Sequence, residues 1–205
     1  RVAVGHDLTE RLAARFLEAN PRARLAAPAN AVAGMKKSAA DLSKISGRVM
    51  AIDYNLVGST NVTLSGVTLS GGGNAGDNYG GAGILAGSAY APADSLTLDN
   101  CSIENNRLST AIVDQYGGGV RMDGGVLTVT NCTFINNSAG TAPGGAIAFI
   151  NLYTQGTVNI SASTFTGNAA ANTTASGPIG GGAIYINNAA AVISGSTFSN
   201  NLATS

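Results

Sequence analysis

Carboxylates are the groups in this sequence that could do hydrolytic chemistry, and residues 49–205 hold only seven of them. A glycoside hydrolase needs two carboxylates about 5–10 Å apart, and a polysaccharide lyase needs a Lys or Arg base beside acids that hold Ca²⁺. No two of these acids occupy the same position of the sequence repeat in this region, so we expect solvated loop acids. Asp114 and Asp123 flank one strand, so these are the two carboxylates that could meet by chance. The seven are Asp53, Asp77, Asp94, Asp99, Glu104, Asp114 and Asp123.

The other reactive side chains predict no catalytic, cofactor or metal site. His6 is the sole histidine and stands outside the repeats, so neither a Ser-His-Asp triad nor a histidine metal cluster can form. Cys101 and Cys132 lack Cys-x-x-Cys spacing, which argues against zinc. Their positions fit a disulfide, with Cα atoms about 5 Å apart, or two reduced buried thiols. We expect reduced thiols, because direct stacking strains the disulfide dihedral.

Several Asn residues stand in Asn-x-Ser/Thr sequons and are candidate glycosylation acceptors if the host is a eukaryote. Asn100 and Asn131 fall at expected bends, and Asn159 alternates with inward-facing residues, so these three are expected to face solvent. The sequons begin at Asn61, Asn100, Asn131, Asn136, Asn159 and Asn172.

An internal repeat must position all these groups, and apolar anchor residues mark it at separations of 34, 31, 31 and 33 residues. Apolar side chains recur seven and five positions before the anchor, small ones two positions before it, and Asn three positions after it in four copies. Steps of two are the period of a β-strand, whereas the step of three between these pairs requires a bend. The anchors are Leu69, Ile103, Phe134, Phe165 and Phe198, and residues that suit the bend are Gly66, Asn100, Asn131 and Gly195.

A third short strand follows a Gly-rich loop in the repeats, as in Gly-Gly-Ala-Ile at 144–147 and 181–184. Three strands in about 31–34 residues predict an all-β fold, a right-handed parallel β-helix of about five coils over residues 49–205. A β-sandwich would alternate apolar and polar residues without such columnar identity. Because coils stack about 4.8 Å apart, we expect a Phe column inside and an Asn column whose side-chain amides bridge coils and whose residues tolerate the left-handed backbone of a sharp corner.

Residues 1–48 do not share the repeat and are predicted to form a helical or irregular N-terminal cap or linker. Asp7–Glu10 has the spacing of a capping box, an apolar stripe follows from Leu8 to Phe16, and a weaker helix is expected near 37–45. This segment holds nine cations against four acids, and we expect these charged side chains to lie on a solvated helix face.

The composition excludes several classes of protein. Charged residues make up 11% of the chain and Gly shows no three-residue period, so it is neither a coiled coil, a charge-rich disordered tail nor collagen. Residues 49–205 carry two cations, too few for a nucleic-acid partner. No apolar run reaches the roughly 18 residues of a transmembrane helix.

The alternating tetrads Gly-Gly-Ala-Ile and Phe-x-x-Asn (134–137, 165–168 and 198–201) resemble the repeats of the chlamydial polymorphic outer-membrane proteins. Those are autotransporter adhesins with a β-helical passenger. The resemblance covers about residues 96–201, and its strict form covers 127–201. It implies a surface-exposed β-helical stalk or adhesin segment.

We therefore expect a non-enzymatic structural or adhesive β-helix segment of a larger extracellular or cell-surface protein. The expected partners are other protein subunits or host-surface and glycan ligands, and no cofactor is expected. Two alternatives stay open. One is a β-helical carbohydrate-active enzyme, a lyase or hydrolase, with its site on loops 71–79 or 107–116. The other is a subunit of an extracellular filament or appendage that assembles through exposed coil ends.

Overall fold

The computed structural model describes residues 24–26, 48–52, 61–73, 80–87, 94–108, 115–152, 156–171 and 180–204. These residues are all-β, and no helix occurs among them. The helices predicted after Asp7 and near 37–45 lie outside the described residues, so the cap or linker at 1–48 stays a prediction. Within the described ranges no helix is long and apolar enough to cross a membrane.

The strands, numbered along the chain, form three larger sheets and one strand pair. Sheet A contains β1 (Arg24–Ala26), β3 (Asn61–Ser65), β6 (Ser95–Asp99), β9 (Val126–Thr130), β12 (Gly156–Ser161) and β16 (Ala189–Ser194). Sheet B contains β2 (Met50–Ile52), β5 (Ile84–Gly87), β8 (Val120–Asp123), β11 (Ile147–Ile150) and β15 (Ile184–Asn187). Sheet C contains β4 (Thr68–Ser70), β7 (Ser102–Glu104), β10 (Thr133–Ile135), β13 (Thr164–Thr166) and β17 (Thr197–Ser199). The last pair is β14 (Ala169–Ala171) with β18 (Leu202–Thr204).

The sheets form a parallel β-solenoid, because the chain visits sheets B, A and C in turn and each strand pairs with its equivalent one repeat away. Phe165 lies between Phe134 and Phe198, as the anchor alignment predicts. From residue 115 onward the solenoid is described with two short gaps for about three turns. Among the strands that the structure describes, β1 is the one antiparallel member, and it lies along β3. The prediction of an all-β parallel solenoid is confirmed.

Two corners of each coil have a left-handed backbone, and they lie three residues before and two residues after the anchor. The first corner confirms the predicted bend, and its residues are Gly66, Asn100, Asn131, Ala162 and Gly195, with φ of 66°, 52°, 53°, 48° and 54°. The second contains Gly71, Asn105, Asn136, Gly167 and Asn200, with φ of 74°, 54°, 54°, 66° and 53°. The Asn column three residues after the anchor does not need its tolerance of this conformation, since none of its described members has a positive φ. The residue before it does, since that residue is exposed or half-buried and turns the chain.

Inward-facing side chains of the three sheets make one continuous core. Phe134, Phe149 and Phe165 are fully buried, and burying such a side chain contributes roughly 1.5–3 kcal/mol. Ile147 and Phe149 alternate inward on β11 and belong to this core. At the Gly-rich corner a Cβ on Gly145 would collide with the main-chain oxygen of Gly182 in the next coil. The glycine pairs therefore allow the coils to approach at strand spacing.

Candidate functional site: the columns of equivalent side chains

A column of buried Asn side chains runs along the solenoid three residues after the anchors. Its side-chain amides donate to the next member's Oδ1, with Nδ2–Oδ1 distances of 3.0 Å from Asn106 to Asn137, 2.9 Å from Asn137 to Asn168 and 2.9 Å from Asn168 to Asn201. Asn106, Asn137 and Asn168 are 0% exposed. The predicted bridging role of this column is confirmed.

The same Asn side chains also bond the main chain of the preceding coil through both the amide nitrogen and the amide oxygen. Asn137 Nδ2 donates to the carbonyl oxygen of Ile103 at 2.8 Å, and Asn137 Oδ1 accepts from the main-chain N–H of Asn106 at 3.2 Å. Gly72, which takes the Asn position in the first copy, donates its N–H to Asn106 Oδ1 at 2.9 Å. Buried polar groups are tolerated when every donor and acceptor is satisfied, so the ladder fixes coil register.

The aromatic column stacks as predicted. The ring centroids of Phe134 and Phe165 lie 4.7 Å apart with planes at 6°, and those of Phe165 and Phe198 lie 4.8 Å apart at 4°. Leu69 and Ile103 continue the column below Phe134 and are buried. This column provides apolar burial but no reactive group.

Cys101 and Cys132 are free thiols that begin a second polar column, two residues before the anchors. The main-chain N–H of Cys101 donates to Cys132 Sγ at 3.3 Å, and that of Cys132 donates to Ser163 Oγ at 3.0 Å. Ser163 N–H donates in turn to Ser196 Oγ at 3.1 Å. Each side chain thus replaces a strand hydrogen bond where the corner interrupts the sheet.

The two thiols differ in acidity because they are hydrogen-bonded to each other. The bond from the Cys132 thiol lowers the pKa of Cys101 from 9.0 to about 7, against the opposing effect of burial. The hydrogen bond with Cys101 raises the pKa of Cys132, and burial of the Cys132 thiol raises it further. Cys101 is 3% exposed and Cys132 is 1% exposed. The more acidic thiol, that of Cys101, is therefore shielded inside the coil rather than presented to a substrate.

The acidic side chains of the described residues do not converge. Asp99 lies opposite Thr130 on sheet A, and Glu104 lies opposite Ile135 on sheet C, so the two carboxylates occupy different faces. Ser65 Oγ donates to Asp99 Oδ2 at 3.1 Å. No group of three or more His, Cys, Asp or Glu that could hold a metal occurs within the described ranges. Asp53, Asp77 and Asp114 lie outside the described residues.

Asp123 pairs with Arg121 on the outer face of sheet B rather than with another acid. Arg121 Nε and Nη2 donate to the two carboxylate oxygens at 2.9 and 3.0 Å, and both side chains are nearly buried. The guanidinium lies 5.5 Å from the ring centroid of Tyr116, which stacks on Tyr185 at 5.9 Å. The ion pair therefore holds Asp123 beside a cation rather than beside a second carboxylate.

No protein family, curated protein or solved structure matches this chain. The columns and the outer faces are therefore the features of the molecule that bear on function.

The predicted glycosylation acceptors are placed on the outside where the structure describes them. Asn61, Asn100, Asn131 and Asn136 are exposed, and Asn159 is half-buried on the outer face of sheet A. Asn61 Oδ1 accepts a 2.6 Å hydrogen bond from Ser95 Oγ. Asn172 lies outside the described residues. Whether these acceptors are used stays a prediction.

Arg48 is a structural residue that the sequence did not reveal. The sequence places Arg48 at the end of a basic segment that we expect to be solvated, but Arg48 is 7% exposed. Its Nε lies 3.1 Å from the Gly81 carbonyl oxygen, and its Nη2 lies 2.9 Å from that of Gly80. Its position directly before the first repeat is the one sign in the sequence of this capping role, because a capping cation has no repeating pattern.

Proposed function

We propose that this chain is a non-enzymatic segment of a larger extracellular or cell-surface protein, a right-handed β-helix of about five coils that serves as a rigid spacer or adhesive surface. The buried Asn ladder is the observation that carries the proposal. Four Asn side chains in successive coils are joined by amide hydrogen bonds of 2.9–3.0 Å, which makes neighbouring coils one mechanical unit. Sheet B and sheet C each contain five parallel strands, which supports a number of about five coils.

The outer faces of sheets A and C support the adhesive part of the proposal. Their side chains are mostly Ser, Thr and Asn in register, so hydrogen-bonding groups repeat at strand spacing on surfaces with few charges. Neutral glycans and protein surfaces are the partners that such a face fits, because both present hydroxyl and amide groups. The sheet C column contains Thr68, Ser102, Thr133, Thr164 and Thr197. The resemblance to chlamydial adhesin repeats supports the same role.

Binding without turnover is the expected behaviour. The purified chain is passed over immobilised neutral glycans and matrix proteins, and the same ligands are assayed for new reducing ends and for the ultraviolet absorbance of unsaturated ends. We expect saturable binding that weakens in Thr133→Glu, which adds a charge to the outer face of sheet C. Asp114→Asn is the matched variant for chemistry. Turnover that disappears in Asp114→Asn would overturn the non-enzymatic proposal.

A further inference from the structure

The two cysteines of this chain meet in the fold although their spacing in the sequence is that of no metal-binding motif. They are 31 residues apart, which is the length of one coil at this point. Stacking of the coils therefore places Cys132 directly after Cys101 in the column two residues before the anchors. Both thiols are free and buried. The pair belongs to neither the Phe column, the Asn ladder nor the outer faces.

The two sulfur atoms are turned the same way along the column, each toward the preceding coil. Cys132 Sγ lies 3.3 Å from the main-chain nitrogen of Cys101, and Cys101 Sγ lies 3.3 Å from the carbonyl oxygen of Leu64. In the neighbouring anchor column, equivalent rings of consecutive coils lie 4.7 and 4.8 Å apart. A linear sulfur–metal–sulfur unit with metal–sulfur bonds of about 2.3 Å spans about 4.6 Å. One ion therefore fits between two thiolates held at the spacing of the coils.

The donor atoms around the pair select the kind of ion. The chain contains two cysteines, and the column continues with Ser163. The part of the chain that the structure describes has no cluster of three or more His, Cys, Asp or Glu to bind a metal. Zinc and iron–sulfur clusters need about four protein ligands. Soft monovalent ions such as copper(I) and silver(I) prefer thiolates and accept two of them in a line.

We propose that Cys101 and Cys132 form a two-coordinate site for a soft monovalent metal ion, with copper(I) as the biological example. A hydrogen bond joins the two thiols, and the ion takes the place of the proton between them. Binding releases both thiol protons to water and leaves one negative charge on the sulfur–metal–sulfur unit. The main-chain N–H of Cys101, which already bonds Cys132 Sγ, stabilises this charge inside the coil.

The site lies close to the surface, although both sulfur atoms are buried. Asn100 and Asn131 immediately precede the two cysteines, turn the chain at the first corner and are exposed. One residue therefore separates each thiol from an exposed side chain. Local opening of this corner admits an ion without unfolding of the coils. Such a site is independent of the proposed spacer or adhesive role.

The test is titration of the full, fully reduced chain with copper(I) under argon, in competition with the chromophoric copper(I) chelator bicinchoninate. We expect one ion per chain, a new ultraviolet absorption from thiolate-to-metal charge transfer, and two sulfur ligands by X-ray absorption spectroscopy. Silver(I), which does not oxidise thiols, is expected to bind in the same ratio. The bound ion is also expected to raise the midpoint of thermal unfolding, because it binds the folded chain.

Cys101→Ser and Cys132→Ser each remove one sulfur ligand. Serine occupies the same column position at Ser163 and Ser196, so both variants are expected to keep the fold, which far-UV circular dichroism checks. Both are expected to lose the ion at chelator concentrations where the natural chain retains it. Ser163→Ala is the matched control, since it changes the next side chain of the column and leaves both thiols in place. This variant is expected to retain the ion.

A natural chain that yields all its copper(I) to the chelator would overturn the proposal. One ion per two chains would also contradict it, because thiols of different molecules would then share the ion. The same holds for a single-cysteine variant that retains the ion as the natural chain does. Equal affinity in the urea-unfolded chain would mean that stacking of the coils does not form the site.

Discussion

The side-chain amide of Asn137 donates a 2.9 Å hydrogen bond to Oδ1 of Asn168 in the wholly buried polar ladder. The same amide also donates to the Ile103 carbonyl, while Asn137 Oδ1 accepts from Asn106. One side chain thus connects three coils. An interior of this kind resists sliding between coils, because a shift of one residue would leave several buried polar groups unsatisfied.

Asn137→Ala is expected to lower the free energy of unfolding by at least about 3 kcal/mol, because each buried polar group left without its partner costs roughly 1–3 kcal/mol. Urea unfolding followed by circular dichroism measures this. Asn159→Ala is the matched control, since Asn159 lies half-buried on the outer face of sheet A, and its cost is expected within about 0.5 kcal/mol of zero. Equal costs for the two variants would show that the ladder does not stabilise the fold.

The sequence predicts the columns because in-register parallel stacking turns a repeat in sequence into a contact in space. Phe134, Phe165 and Phe198 are 31 and 33 residues apart, and their rings stack at 4.7 and 4.8 Å. The bridging Asn residues follow from the same rule. The predicted bend also follows from it, since the step of three residues breaks the strand period at Asn100 and Asn131.

Features that do not repeat could not be predicted in this way. β1 pairs antiparallel with β3, and Arg48 caps carbonyls of the first coil, but each occurs once. The sequence does not locate the second left-handed corner, because Asn-Asn pairs such as Asn105-Asn106 offer two Asn residues and the pattern does not say which one turns. Burial separates them, since Asn106 is 0% exposed and Asn105 is exposed.

Phe165→Ala is expected to lower the free energy of unfolding by about 3–5 kcal/mol, the range for truncating a buried Phe. Phe165 is fully buried between two rings, whereas Phe198 is 45% exposed and stacks on one. Phe198→Ala should therefore cost clearly less. Chemical unfolding of both variants makes the comparison. A cost for Phe198→Ala as large as that for Phe165→Ala would mean that the end coil is covered within one chain.

Ala162 has a φ of 48° at a corner where the other coils have Gly or Asn. The left-handed conformation costs an L-residue with a Cβ roughly 1–2 kcal/mol, while Gly costs about 0.5–1 kcal/mol in unfolded-state entropy. Ala162→Gly is therefore expected to stabilise the fold by up to about 1 kcal/mol. Ala170→Gly, at a buried strand position, is the control and should destabilise it by a similar amount. A loss of stability in Ala162→Gly, measured by urea unfolding, would contradict the strain argument.

The low pKa of Cys101, about 7, depends on the hydrogen bond from the Cys132 thiol, so Cys132→Ala is expected to raise it. Burial is then the dominant influence, and burial disfavours a thiolate. Cys132→Ser keeps a donor as a hydroxyl and is expected to retain a lowered pKa. The ultraviolet absorbance of the thiolate, followed against pH in the folded chain, distinguishes the two variants. The same titration midpoint in both would rule out control by this hydrogen bond.

The same pair makes stability depend on pH, with a sign that follows from proton linkage. The folded pKa of Cys101, about 7, lies below its ordinary value of 9.0, so between these two values the unfolded chain binds more protons. The stabilisation from Cys101 is therefore present in full above about pH 9 and is lost as the pH falls through about 7. Cys132 has a raised pKa and acts oppositely above about pH 9. Unfolding midpoints measured from pH 6.5 to about 9 should thus rise in the natural chain relative to Cys101→Ser. Parallel curves for the two proteins would show that Cys101 ionises alike in the folded and the unfolded chain.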